Sequence, residues 1–182
     1  MALLIDNKVL VDDRKLADQL QQKGFGERCG REFVLDLYEA AYLLEKGKIE
    51  ITGSEGAQAK GKKEKKKKAR ALGFEEILGA GSALEKNFYT KFIVYRDLRE
   101  RGYCIKTGFK FGFDFRVYPR GKMQGQEHSQ WVINVATQQG KWSMPEFSRM
   151  VRLSGNLKTV MLQAVVDAEN DINYYEVKRV TP

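Results

Sequence analysis

Apolar clusters Leu3-Leu4-Ile5 and Val9-Leu10-Val11, separated by the polar Asp6-Asn7-Lys8, predict a hairpin at the start of the chain. Asp12 or Asp13 can cap a helix over 14–23 that stops at Gly24, and residues 24–30 read as a loop. Phe33, Leu37, Ala40, Ala41 and Leu44 then recur at helical spacing up to Gly47. Residues 48–52 predict a short strand, 53–68 a mobile small-residue and lysine-rich segment, and 72–78 a short helix. The run Gly79-Ala80-Gly81-Ser82 closes this half and suggests a domain boundary.

The second half opens on Phe88, Phe92, Tyr95 and Leu98, whose steps of four, three and three line one face of a helix ended by Gly102. Strands are predicted over 103–105, 109–117 and 130–135. In the longest, Phe111, Phe113, Phe115 and Val117 face one way and Gly112, Asp114, Arg116 and Tyr118 the other. Ser143-Met144-Pro145-Glu146 caps a helix through Phe147, Met150, Val151 and Leu153. Strands over 160–167 and 172–180 follow, joined by the turn Ala168-Glu169-Asn170. The pattern is α+β, with a small mixed N-terminal domain over 1–83 and a second domain over 84–182.

Composition sharpens this picture little. With 182 residues, 42% hydrophobic and 31% charged, the chain is an ordinary globular protein with ample material for a core. No apolar run approaches a membrane span, and the N-terminus lacks a signal peptide's leader, so a cytoplasmic location and no membrane partner are expected. Cys29 and Cys104 lack metal-type spacing and read as buried free thiols. The net charge of +8 is mostly local, because residues 60–70 carry +7 of it. Such a run attracts phosphates without selecting among them, and a solvated loop or basic helical extension is the reading preferred over a dedicated RNA contact.

Candidate chemistry concentrates in residues 102–135. This stretch holds the sole histidine, His128, and ten residues earlier Tyr118, with Lys106, Lys110, Arg116, Arg120 and Lys122 around them. A cationic, aromatic, glycine-punctuated segment with one imidazole suits a metal-free RNA-cleaving site. A metal-dependent nuclease would want converging carboxylates. Asp114 and Glu127 flank the segment, but no D…ExK arrangement accompanies them, and no metal or other cofactor is expected.

The run GYCIKTGFKFGFDFRVYPRG…HSQWVINV resembles the core of the archaeal tRNA-intron (tRNA-splicing) endonucleases. LDLYEAAYLLEKGKIEI, FYTKFIVYRDLRERG and VRLSGNLKTVMLQAVVDAENDINYYEV extend the similarity over nearly the whole chain except the lysine run. The resemblance implies a C-terminal α/β nuclease domain with a central mixed sheet flanked by helices. The implied activity is metal-independent cleavage of precursor tRNA at bulge-helix-bulge sites, giving 2′,3′-cyclic phosphate and 5′-hydroxyl ends. Chain length matches subunits with one catalytic unit, which implies a homotetramer built as a dimer of dimers.

Residue by residue, the resemblance implies Tyr118 as base, His128 as acid and Lys158 as transition-state stabiliser. An ungapped alignment from Arg152 to Asp167 puts Thr159 at the lysine's position. A one-residue slip at Gly155-Asn156 restores Lys158, which is the assignment taken. Arg152 matches an arginine that stacks on a flipped-out bulge base, against the plainer reading of a helix-end ion pair. Arg116, Arg120 and Lys110 are candidate phosphate contacts, or a charged solvent face. Asp167, Glu169 and Asp171 resemble an acidic loop that enters a partner subunit, and Tyr174 and Tyr175 lie on an edge strand suited to dimer pairing. The alternative function is a noncatalytic RNA-binding subunit of a heteromeric assembly.

Overall fold

The computed structural model describes residues 2–53, 70–122, 125 and 127–180, and the chain divides into two compact units, Met1–Tyr89 and Thr90–Pro182. The predicted mobile segment and the 60–70 lysine run lie almost wholly outside the described residues. In the first unit the hairpin β1 (Ala2–Ile5) and β2 (Lys8–Val11) forms as expected, with Asp6 in the left-handed turn conformation at φ 52°. The Asp13 carboxylate accepts from the Lys15 and Leu16 amides and caps α1 (Arg14–Gln22).

Four readings of this unit need correction. Residues 27–29 form strand β3 (Glu27–Cys29) rather than loop, and Phe33 belongs to β4 (Glu32–Leu35), not to the following helix. Asp36 caps that helix, α2 (Leu37–Glu45), through a capping box with Glu39, so Phe33's helical spacing from Leu37 was coincidental. Phe33 is instead buried against Gly26, where an added Cβ would meet its ring at 2.3 Å. The sheet, ordered β3-β4-β2-β1-β5-β6, is completed by β5 (Ile51–Gly53), parallel to β1, and β6 (Arg70–Leu72). The glycine-rich run at 79–82 is not a break but the interior of α3 (Phe74–Leu84). Gly81 is needed there, since a Cβ would lie 2.4 Å from the Phe88 ring. Cys29 is exposed and only Cys104 is buried, because β3 is an edge strand whose residues are all exposed.

The second unit carries a mixed sheet ordered β11-β10-β9-β8-β7. Its strands are β7 (Cys104–Thr107), β8 (Phe115–Tyr118), β9 (Trp131–Thr137), β10 (Val160–Val166) and β11 (Ile172–Val177). Only β9 and β10 run parallel, joined through α5 (Met144–Asn156), whose Ser143–Glu146 capping box forms as predicted. Helix α4 (Phe88–Glu100) serves one face: Tyr95 meets Phe115 at 6.0 Å between ring centroids, and the Tyr174 hydroxyl donates to Asp97 at 2.8 Å. Helix α5 serves the other, through a core of Phe113, Val132, Met150 and Met161. The register sets Arg116 opposite Val132 and Val132 beside Met161, so Arg116 and Tyr118 share the α5 face.

The predicted nine-residue strand over 109–117 is broken. Phe109–Phe111 is a 3₁₀ turn, Gly112 is left-handed at φ 74°, and β8 starts only at Phe115. The elbow closes on Gly108, whose amide donates to the Asp114 carbonyl at 2.8 Å and whose carbonyl accepts from the Phe111 amide at 2.8 Å. A Cβ on Gly108 would sit 2.9 Å from the Phe113 carbonyl oxygen and 3.0 Å from a Phe115 backbone carbon. Backbone cannot yield as a side-chain tip can. Gly108→Ala is expected to destabilise the protein by about 1–3 kcal/mol in urea unfolding, and an unchanged midpoint would contradict the packing described.

Candidate active site

Three chain segments reach the same end of the second sheet. Strand β8 ends at Tyr118, β9 begins just after His128 and Ser129, and β10 begins just after Leu157, Lys158 and Thr159. The hairpin from β8 to β9 turns at Pro119, whose carbonyl accepts from Lys122, with Gly121 left-handed at φ 73°. It closes when the Gln130 amide donates to the Val117 carbonyl at 2.8 Å, which returns His128 to the end of β8. Parallel pairing does the rest, as Val160 lies beside Trp131 and its amide donates to the Gln130 carbonyl at 3.3 Å. Central strands therefore fix all three segments.

Between them lies an open cleft of ≈ 520 Å³. Tyr118, His128, Ser129, Glu127, Arg116 and Thr159 supply its polar groups, and Phe111, Val132 and Leu157 its apolar walls. Tyr118 is 3% exposed, whereas His128 is exposed to solvent. One group held inside and one at the mouth suit a phosphodiester approached from solvent. Arg116 lies with its guanidinium 4.4 Å from the Phe111 ring centroid.

Lys158 occupies the turn beside the cleft, exposed, while the lining residue is Thr159. Helix α5 ends there in a Schellman motif, in which the Thr159 amide donates to the Ser154 carbonyl at 3.1 Å and the Lys158 amide to the Gly155 carbonyl at 3.0 Å. Lys158 is thus the left-handed residue, at φ 52°, where glycine is the usual choice.

Arg152 does not line this cleft. It lies in a second hollow of ≈ 410 Å³ with Arg149 one helical turn away and Arg179 beyond β11. Neither of these partners stood out in the sequence, though the three-residue spacing of Arg149 and Arg152 was a legible signal. Arg120 is exposed with its guanidinium 5.0 Å from the Tyr103 ring, and Lys110 is exposed on the elbow. Phe111, which strand alternation places on one face with Phe113, Phe115 and Val117, packs beside the α5 core and also forms a wall of the cleft.

The Asp114 and Glu127 carboxylates are both ion-paired. Asp114 pairs with Lys91 at 2.6 Å and accepts from the Val135 amide at 2.7 Å, and Glu127 pairs with Lys122 at 3.1 Å. Among the described residues, no group of three or more His, Cys, Asp and Glu stands in metal-binding proximity. In the β10–β11 turn, the Asp167 carboxylate accepts from the Glu169 and Asp171 amides at 2.9 Å each, leaving the Glu169 and Asp171 side chains exposed. Burial, and then its bond to Asp97, raise the Tyr174 phenol well above its ordinary range, so it is a neutral structural donor. Tyr175 is 55% exposed on edge strand β11.

Two family models account for most of the chain. Residues 1–62 match the tRNA intron endonuclease N-terminal domain, and residues 88–174 match the tRNA intron endonuclease catalytic C-terminal domain, the part that holds the cleft. The chain belongs to the tRNA intron endonuclease family. Relatives named tRNA-splicing endonuclease span nearly its full length. That of Thermococcus kodakarensis is 36% identical, covering 97% of this chain and 96% of the relative. Those of Pyrococcus furiosus and Methanothermobacter thermautotrophicus are 35% and 34% identical, covering 96% and 97% of this chain and 93% and 95% of theirs. This tRNA intron endonuclease is accordingly an α+β enzyme, and none of its described helices is long and apolar enough to cross a membrane.

Proposed function

We propose that the protein excises introns from precursor tRNA by metal-independent cleavage at bulge-helix-bulge junctions. Tyr118 takes the proton of the ribose 2′-hydroxyl, whose oxygen bonds to the adjacent phosphorus. The bond from phosphorus to the 5′-oxygen breaks, and His128 gives that oxygen a proton. The products are a 2′,3′-cyclic phosphate and a 5′-hydroxyl end, the outcome of an RNA-cleaving lyase. Lys158 stabilises charge on the nonbridging oxygens. The observation that carries this reading is the convergence of Tyr118 and His128 on one cleft from adjacent strands.

RNA binding extends outward from that cleft. Arg152 stacks on an unpaired bulge base, with Arg149 and Arg179 supplying charge in the same hollow, while Arg116, Arg120 and Lys110 contribute to the field that attracts phosphates. A bulge-helix-bulge has two cleavage points at a fixed spacing, so a symmetric assembly reads it by shape. We infer a homotetramer acting in the cytoplasm, with the acidic turn bearing Asp167, Glu169 and Asp171 entering a partner and the edge strand with Tyr174 and Tyr175 pairing across a dimer. One observation favours a second reading, a noncatalytic subunit: Thr159 rather than Lys158 faces the cleft.

The test is cleavage of a bulge-helix-bulge RNA by the purified chain in excess EDTA. Cutting at both junctions is expected, with phosphatase-resistant 3′ ends that become sensitive after acid opens the cyclic phosphate. Loss of cleavage on chelation, restored by a divalent ion, would overturn the proposed chemistry.

A further inference from the structure

The acid–base scheme gives Arg116 no task beyond the general attraction of phosphates. Arg116 precedes Tyr118 by two residues on β8, so both side chains rise from the same face of the strand. Its guanidinium carbon lies 4.4 Å from the Phe111 ring centroid and 5.9 Å from that of Tyr118. Its Nε is buried and has no hydrogen-bond partner among the described residues. A buried donor left unbonded is costly, and such a group calls for a compensating reason. Here the charge is held by aromatic faces instead.

A buried phenol is a poor base for a simple reason: burial disfavours its charged, deprotonated form, and a nearby cation opposes that. We propose that the Phe111–Arg116 stack is an activating pair for Tyr118, holding a permanent positive charge against its ring so that the phenolate is reached at lower pH. The proposal rests on the reading of Tyr118 as the base. The stack also strengthens as the proton leaves, because a phenolate ring presents a more negative face to the guanidinium. Phe111 performs the positioning, and the elbow closed by Gly108 and Gly112 is what carries Phe111 over Arg116.

Other charged and titratable groups lie around Tyr118 and Arg116. On β7, Cys104 is the cross-strand partner of Tyr118, and buried Lys106 that of Arg116. Within the β8–β9 hairpin, Arg120 is turned onto Tyr103, Lys122 and Glu127 neutralise each other, and His128 stands in the cleft. Before β8, Asp114 is paired with Lys91. From the α5–β10 junction comes Lys158. Among these groups, Arg116 combines cleft access with ring stacking on the base.

The experiment is the pH dependence of single-turnover cleavage of an RNA whose 5′-oxygen at the cleavage point is replaced by sulfur, which leaves without a proton so that the rising acid limb reports the base alone, for wild type, Arg116→Gln, Arg116→Lys, Phe111→Leu and Tyr118→Phe. Arg116→Gln is expected to move the acid limb up by about one pH unit. Its rate is then about tenfold lower below the limb and converges with wild type above it. Arg116→Lys recovers part of the shift, and Phe111→Leu gives a smaller shift in the same direction. An unmoved limb in Arg116→Gln, with weaker RNA binding alone, would overturn the proposal in favour of a simple phosphate contact. Tyr118→Phe with wild-type rate and profile would instead remove the base reading itself.

Discussion

His128→Ala is expected to lower single-turnover cleavage of a bulge-helix-bulge RNA by about 10²–10⁴-fold, the range for loss of a positioned general acid. Binding of the uncut RNA should change by less than about twofold, since one side chain at the cleft mouth contributes little beside the many phosphate contacts that dominate affinity. His128 carries no core packing, being exposed ahead of β9, so the folded state should survive the change. The role can be isolated chemically. A substrate whose 5′-oxygen at the cleavage point is replaced by sulfur departs as a thiolate, which needs no proton. His128→Ala should cut that substrate nearly as fast as wild type does. If the sulfur substrate suffers the same loss, His128 is acting on something other than the leaving group.

The pairing of Tyr118 with His128 was legible in the sequence because it depends on short-range order. A strand ending at Tyr118, a glycine-bearing hairpin and a strand beginning near Gln130 suffice to bring residues ten apart together. The elbow at 108–114 was not legible. Phe109, Phe111, Phe113 and Phe115 alternate perfectly, so period-two reasoning gives one long strand, and only the backbone contacts around Gly108 break it. Phe33 failed for the converse reason: its spacing from Leu37 fits a helix, yet the Asp36 cap starts that helix three residues later. The helix through Gly79 and Gly81 was hidden because glycine usually punctuates, whereas here Phe88 demands the space. The arginine hollow depends on bringing Arg179, after the last strand, to the face of α5, a tertiary juxtaposition that no local pattern encodes.

Edge strand β11 has a comparable lesson for assembly. Tyr174 and Tyr175 look alike in sequence, but the pleat sends them to opposite faces. One is tied to Asp97 within its own unit and the other is left exposed. A substitution meant to probe pairing between copies should therefore be made at Tyr175, since Tyr174 confounds assembly with stability.

Lys158 offers the sharpest separation of stability from catalysis. Lys158→Ala is expected to reduce single-turnover cleavage by about 10²–10³-fold, the range for losing one group that stabilises transition-state charge. Thr159→Ala should change it by less than about threefold, because a hydroxyl offers no positive charge. The backbone supplies an independent argument. A non-glycine residue in the left-handed position of the Schellman turn costs about 1 kcal/mol relative to glycine, yet lysine stands there at φ 52°. Strain kept at a cleft edge points to a side chain needed for chemistry rather than for folding. Lys158→Gly should accordingly raise unfolding stability by about 1 kcal/mol while losing as much activity as Lys158→Ala. Thermal unfolding beside cleavage rates decides the matter. A more stable and fully active Lys158→Gly protein would strip the lysine of its role, and a dead Thr159→Ala would hand that role to the neighbouring residue, which shares the cleft face with Met161. Full activity in the variants of both residues would locate the compensating charge elsewhere around the phosphate, with Arg116, which lines the cleft, the cation to try next.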